Sequence, residues 1–134
     1  MKNKFLIDTH VFLWATSKAY GKERLSKQAM EVMEKTETEL FVSSVSLFEI
    51  TNKFRTGKLP EYKPIAEDCK KALEGLEAKE LPLNWEQAQL AGSLDWTHKD
   101  PFDRMLAAQA QAEDMTLITC DKVFDGVTSV EKLW

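Results

Sequence analysis

Apolar residues fall along the chain in short continuous runs, separated by stretches with helical spacing. The first run, Lys4 to Ile7, delivers Asp8 and predicts a short buried strand. Val11 to Thr16 continues with Phe12, Leu13 and Trp14 and predicts a helix or tight connection. After Ser26, which suits an N-cap, Ala29, Val32 and Met33 recur at helical spacing while Glu31, Glu34 and Lys35 face away, the pattern of an amphipathic helix. Leu40 to Val45 predicts a second strand. Leu47, Phe48, Ile50 and Phe54, with Lys53 and Arg55 between and after them, suit a helix ending at Gly57.

Pro60 and Pro64 mark a surface connection, after which Ile65, Cys69, Ala72, Leu73 and Leu76 form one apolar stripe and predict a helix to Gly75 and beyond. Asn84 and Gln87 read as the capping pair of a short helix that carries Trp85, Ala88 and Ala91 and stops near Gly92. Asp100-Pro101 opens the next helix, with Phe102, Leu106 and Ala110 on its inner face. Met115 to Thr119 predicts a third buried strand ending at Cys120-Asp121, and Ser129 to Leu133 a last edge strand. Strands alternating with helices predict an α/β fold with a mainly parallel sheet covered on both faces. With no internal repeat, low-complexity tract or linker, residues 1–134 read as one domain.

Composition narrows this picture without redirecting it. Hydrophobic residues at 43% and charged residues at 30% are globular values, and no apolar run approaches the roughly 20 residues that span a bilayer. The expectation is a soluble protein with no membrane partner. MKNKFLID passes from lysines straight into a strand-like run without the apolar stretch of a signal peptide, so cytoplasmic residence is expected. Cys69 and Cys120 are too few for a disulfide framework and fall on a predicted helix and a predicted strand, common places for a buried thiol. A net charge of −4 argues against broad electrostatic binding to nucleic acid, although a global sum can conceal a local basic patch.

The candidate chemistry lies in four carboxylates, Asp8, Glu49, Asp103 and Asp121, each placed where a strand ends or a helix begins. Side chains at the carboxyl ends of neighbouring parallel strands converge on one crevice, so acids distant in sequence can share a site. Oxygen donors suit Mg²⁺ and Mn²⁺, and four acids could hold one or two ions. Such ions hydrolyse a phosphodiester by activating a water and stabilising the charge that develops on phosphoryl and leaving oxygens.

Each acid also has a structural reading. Ser46-x-x-Glu49 fits a capping box, Asp103 lies in a first helical turn, and Asp8 and Asp121 could be turn-formers after strands. Asp100 reads as a cap and Asp125 as a turn residue. His10 and His98 stand near proposed ligands, either as part of a mixed nitrogen and oxygen site or as groups that orient local backbone. Thr9 and Thr119 could hydrogen-bond the acids or simply satisfy strand propensity. Lys53, Arg55, Lys58 and Lys63 form the densest basic stretch after Glu49 and could contact substrate phosphates or be a solvated helix face. Trp14, Trp85, Trp96 and Trp134 receive no role beyond core or interface.

With these residues in place, the chain resembles a PIN domain, and most closely a VapC-type toxin ribonuclease of a toxin–antitoxin pair. FLIDTHVFLW at 5–14 resembles the family's opening strand and first acid, and SLFEITNKFRTGKL at 46–59 its second-acid helix. HKDPFDRMLAAQA at 98–110 resembles the third-acid helix, and LITCDKVFD at 117–125 the T-x-D motif. The resemblance implies Asp8, Glu49, Asp103 and Asp121 as metal-binding catalytic acids, with Thr119 supporting them. It further implies a three-layer α/β/α fold, Mg²⁺- or Mn²⁺-dependent cleavage of RNA, a homodimer, and inhibition by a small VapB-like antitoxin. Cys120 departs from the small residue frequent at that place in the motif, and the acidic balance departs from a nucleic-acid binder.

Two rivals share the fold class. A phospho-acceptor or phosphatase domain also places aspartates at this sheet edge, but Asp8-Thr9-His10 has neither a second acid two residues on nor an adjacent acidic pair, and no lysine follows a late strand in the role such domains require. A non-enzymatic module would use the acids to attract a basic partner segment.

Overall fold

The structure, a computed structural model, describes residues 3–17, 22–57 and 62–134. Its strands are β1 (Lys4–Ile7), β2 (Glu39–Ser43), β3 (Ala78–Leu81), β4 (Thr116–Ile118) and β5 (Lys132–Leu133). They pair in parallel throughout, in the order β3-β2-β1-β4-β5. Chain order therefore runs outward from β1 to one edge and then restarts at β4 on the other side. The topological switch point lies between β1 and β4, the place at which open α/β sheets bind ligands outside the strand ends.

The helices are α1 (Thr9–Thr16), α2 (Lys27–Glu34), α3 (Ser44–Arg55), α4 (Lys63–Glu67), α5 (Cys69–Leu76), α6 (Trp85–Ser93) and α7 (Pro101–Ala112). Alternation along β1 divides the core. Ile7 packs with Val42, Ile118, Phe12, Ala29 and Ile50 on one face, while Leu6 packs with Leu117, Leu106, Ala110 and Phe124 on the other. Helices thus cover both faces, giving the expected three layers. The small side chains Ala107, Ala108 and Ala110 are almost wholly buried and let α7 lie close against its neighbours. Among the described residues, no helix is long and apolar enough to cross a membrane.

Local signals placed most ends correctly. Ser26 caps α2 through Ala29 N–H, Asn84 and Gln87 form a reciprocal capping box on α6, and Asp100 caps α7 through the N–H groups of Phe102 and Asp103. Gly57 has φ +76°, the left-handed conformation that ends α3 without a Cβ penalty. Other expectations need correction. Strand β2 ends at Ser43, two residues early, because the Ser43 hydroxyl accepts from Val45 N–H and starts α3 there. Glu49 is therefore one turn inside α3, and Ser46 is a buried interior residue rather than the cap of a box.

The stripe from Ile65 to Leu76 spans two helices, since Asp68 leaves helical geometry and caps α5 through Lys71 N–H. The last strand shrinks to Lys132–Leu133, and β3 was not anticipated. Cys120 follows β4 and is exposed, and Cys69 is half-buried at the start of α5. Pro60 and Lys58 lie outside the described residues.

Candidate active site

Asp8 stands at the switch point, directly after the central strand and 5% exposed. It is also the N-cap of α1, its Oδ1 accepting from Val11 N–H at 2.8 Å. The other oxygen accepts a hydrogen bond from the Thr119 hydroxyl, which arrives from the end of β4. That same hydroxyl accepts from Asp121 N–H at 3.0 Å, and Asp121 in turn caps the short 3₁₀ turn Lys122–Gly126. One threonine side chain thus joins the backbone of the late acid to the carboxylate of the first. Thr119 contacts Asp8 directly and Asp121 through the Asp121 backbone N–H. Thr9 does not touch a carboxylate; its hydroxyl donates to Ser46.

Asp103 projects from the first turn of α7 and meets His98 Nε2 at 2.7 Å. An ionised carboxylate only accepts, so the ring N–H donates. His98 therefore orients an acid instead of local backbone, and its ring packs against Trp96, which lies against Phe124. A second support went unnoticed in the sequence. The Arg104 guanidinium donates to the carbonyls of Ala91, Leu94, Trp96 and His98 at 2.7–3.0 Å, clamping the segment that carries His98. An arginine beside an acid in a helix gives no local hint of four backbone partners.

Burial pushes the Asp8 carboxyl above its ordinary range; the Thr119 and Val11 hydrogen bonds and the His10 charge pull it back, and the Asp103 charge pushes it up again. Asp103 is likewise raised, first by burial, against the His98 hydrogen bond, and further by the charges of Asp100 and Asp121. Cys120 is raised by burial and by the charges of Asp8 and Asp121. Asp8, Asp103 and Asp121 thus share one negative field. Glu49 is placed differently: its Oε2 is 2.9 Å from Lys53 Nζ, one turn on along α3. Burial works against the Lys53 ammonium, but the Glu49 hydrogen bond and charge, with Tyr62 and Asp100 adding, hold its pKa above the usual value. Arg55 is exposed and donates to Asn52.

Among the described residues, no three His, Cys, Asp or Glu side chains converge closely enough to hold a metal ion unaided. That disfavours the mixed nitrogen and oxygen site, because catalytic Zn²⁺ takes three protein ligands. A Mg²⁺ or Mn²⁺ ion, which keeps several waters, would need only one or two of these carboxylates. The carboxylate oxygens fit such an ion, whose charge would offset the burial and the neighbouring acids that together raise Asp8 and Asp103. The remaining acids keep to their structural readings: Asp100 is a cap, and Asp125 lies in the 3₁₀ turn, 3.5 Å from Lys132 Nζ.

Comparison with curated proteins gives no significant sequence match. Among solved structures, the chain is similar to VapBC2 from Rickettsia felis, bound to a DNA fragment from their promoter, at 16% identity and TM-score 0.70, covering 97% of each chain. It is similar to FitAcB from Neisseria gonorrhoeae at 16% identity and TM-score 0.71, covering 97% of this chain and 96% of that one. VapC20 from Mycobacterium tuberculosis, a sarcin-ricin loop cleaving toxin, matches at 14% identity and TM-score 0.58 over 95% of this chain and 98% of that one. At such identities these likenesses speak for the fold. The PIN domain family model, by contrast, matches the sequence itself over residues 5–129, from β1 through the T-x-D segment. The chain belongs to the PIN domain family.

Proposed function

We propose that this chain is a VapC-type toxin, a Mg²⁺- or Mn²⁺-dependent endoribonuclease neutralised by a small VapB-like antitoxin. In this reading Asp8, Glu49, Asp103 and Asp121 hold one or two ions, and the protein acts in the cytoplasm as a homodimer. The observation that carries it is the Thr119 hydroxyl, which ties Asp8 to Asp121 at the switch point inside the field of Asp103. Bound there, a divalent cation supplies an activated water and neutralises charge developing on a phosphodiester. The protein's own residues orient and steer. Thr119 holds Asp8 and Asp121 in register, His98 aims Asp103, and Lys53 and Arg55, with Lys58, offer positive charge to the RNA backbone.

Structures sharing this fold include VapBC toxin–antitoxin complexes, which supports the antitoxin part of the reading. Phe48 and Trp85, 57% and 89% exposed, offer apolar surface that such partners would cover. The phospho-acceptor alternative gains nothing from the geometry, because the Asp8 carboxylate accepts from Val11 N–H and the Thr119 hydroxyl and forms no lysine pair among the described residues.

The test is cleavage of a mixed set of fluorescent RNAs with Mg²⁺ or Mn²⁺, beside EDTA and an Asp103→Asn preparation. Metal-dependent cutting lost in the variant supports the reading. Equal cutting by both preparations, or a stoichiometric aspartyl adduct with a phosphate mimic and no RNA cleavage, would overturn it.

A further inference from the structure

Two buried hydroxyls link the helix that follows the first acid to the helix that carries the second. Thr9 Oγ1 donates to Ser46 Oγ at 2.9 Å, and the residues are 5% and 0% exposed. Thr9 directly follows Asp8 and opens α1, while Ser46 stands three residues before Glu49 in α3. Residues three apart share a helix face, so a bond at Ser46 constrains the rotation and rise of the helix surface that presents Glu49. Asp8 is already held on both oxygens, by Val11 N–H and by Thr119. The polar chain therefore runs from Asp121 backbone through Thr119 and Asp8 to Thr9, then across to Ser46 and up one turn to Glu49.

Stability alone does not call for this pair. Apolar groups of the same shape can replace both partners of a buried hydrogen bond at almost no cost. Apolar contacts between helices, however, are non-directional, whereas a hydrogen bond restricts distance and angle. We propose that Thr9 and Ser46 are positioning residues, which set the approach of Glu49 to Asp8 and thereby the affinity of the site for a divalent cation. This rests on the nuclease reading above.

The experiment uses the full chain with Thr9→Val, Ser46→Ala, the double variant, and Thr9→Ser as the conservative control. Mn²⁺ alone is titrated by calorimetry, RNA cleavage is followed against Mn²⁺ concentration, and thermal unfolding of each metal-free variant is recorded. Groups that orient metal ligands typically change metal affinity by 10- to 100-fold when removed. The expected result is Mn²⁺ binding about 10-fold weaker in each single variant. The double variant should be no weaker than the singles, because one shared interaction is deleted once. Thr9→Ser should bind as the wild type does, and cleavage by the others should recover at high Mn²⁺. The double variant, which leaves neither hydroxyl unpaired, should also unfold near the wild-type temperature.

Wild-type binding with variants inside twofold of it would overturn this inference alone, as would losses of affinity that merely track thermal stability. Wild-type protein that neither binds Mn²⁺ nor cuts RNA would overturn the nuclease reading and this inference with it.

Discussion

Arg104 supports the segment that carries His98, and its removal should cost stability well beyond that of an ordinary surface substitution. The guanidinium makes four N–H···O=C bonds, to Ala91, Leu94, Trp96 and His98. Hydrogen bonds from a charged donor contribute roughly 1.5–3 kcal/mol each when measured singly. The four share one side chain and one segment, and Arg104 is half-buried, so water recovers part of the loss. One to two bonds' worth is the physical range, about 2–4 kcal/mol for Arg104→Met. With an unfolding entropy of about 2.1 cal/mol/K per residue, 134 residues give roughly 0.28 kcal/mol/K, and the loss corresponds to about 7–14 °C in Tm. Arg104→Lys keeps the charge but replaces a planar fork by a compact ammonium that cannot span four carbonyls, so about half that fall is expected. Calorimetry or circular dichroism of the metal-free protein measures both. Hydrogen exchange should also show faster amides at 94–98 in the methionine variant. A Tm for Arg104→Met within about 2 °C of the wild type would refute the clamp as a source of stability.

Asp8→Asn should stabilise the metal-free protein while abolishing metal-dependent cleavage. Asn keeps the cap acceptor for Val11 N–H and removes a buried charge. Because the folded-state pKa of Asp8 is raised above 3.8, its contribution to stability is fully present below the unfolded value and is lost as pH rises through the folded one. The variant should therefore show a shallower fall in Tm between acid and neutral pH and a higher Tm at pH 7, by an amount typical of stabilising active-site changes, about 0.5–2 kcal/mol; a lower Tm at neutral pH would count against it. Gly126→Ala places a Cβ 2.8 Å from Trp96 Nε1, and Trp96 is wedged between His98 and Phe124, so it should lose about 1–3 kcal/mol in a denaturant titration, whereas wild-type stability would show that the ring can move aside.

Where the chain announced its structure, it did so through local chemistry. Ser26, Asn84 with Gln87, and Asp100-Pro101 each satisfy orphan N–H groups within three residues, so the cap is legible without the rest of the fold. Asp8 and Asp121 stand out because each follows an apolar run and Asp103 because it lies in a helix's first turn, whereas Glu49 proves to lie inside α3. Strand β3 was hidden because Ala78, Lys79 and Glu80 are partly or fully exposed on an edge, and Lys79 pairs across to Glu39, so there was little hydrophobic signal to see. The break at Asp68 was hidden for the opposite reason: the apolar stripe continues across it in register. In Ser43-Ser44-Val45-Ser46 three serines compete to be the cap, and the choice depends on where pairing with β1 and β3 ends. Arg104 with its carbonyls and Thr9 with Ser46 are purely tertiary arrangements, which no spacing encodes.

The site tolerates its charge in two unequal ways, and the inequality bears on how a cation would enter it. Asp8, buried and beside the Asp103 field, meets its charge with hydrogen bonds from Thr119 and Val11 and a raised proton affinity. Glu49 meets its charge with Lys53, at side-chain exposures of 15% and 32% for the two partners. The pair is half-buried rather than open to water, so a cation has to compete with Lys53 for Glu49. A cation beside Asp8 would instead meet a carboxylate whose charge is disfavoured by burial and further by Asp103, with no cation paired to it in a salt bridge among the described residues. Affinity should therefore be dominated by Asp8, Asp103 and Asp121, with Glu49 joining once Lys53 lets go. Lys53, one helical turn from Glu49, would then be free to meet a substrate phosphate.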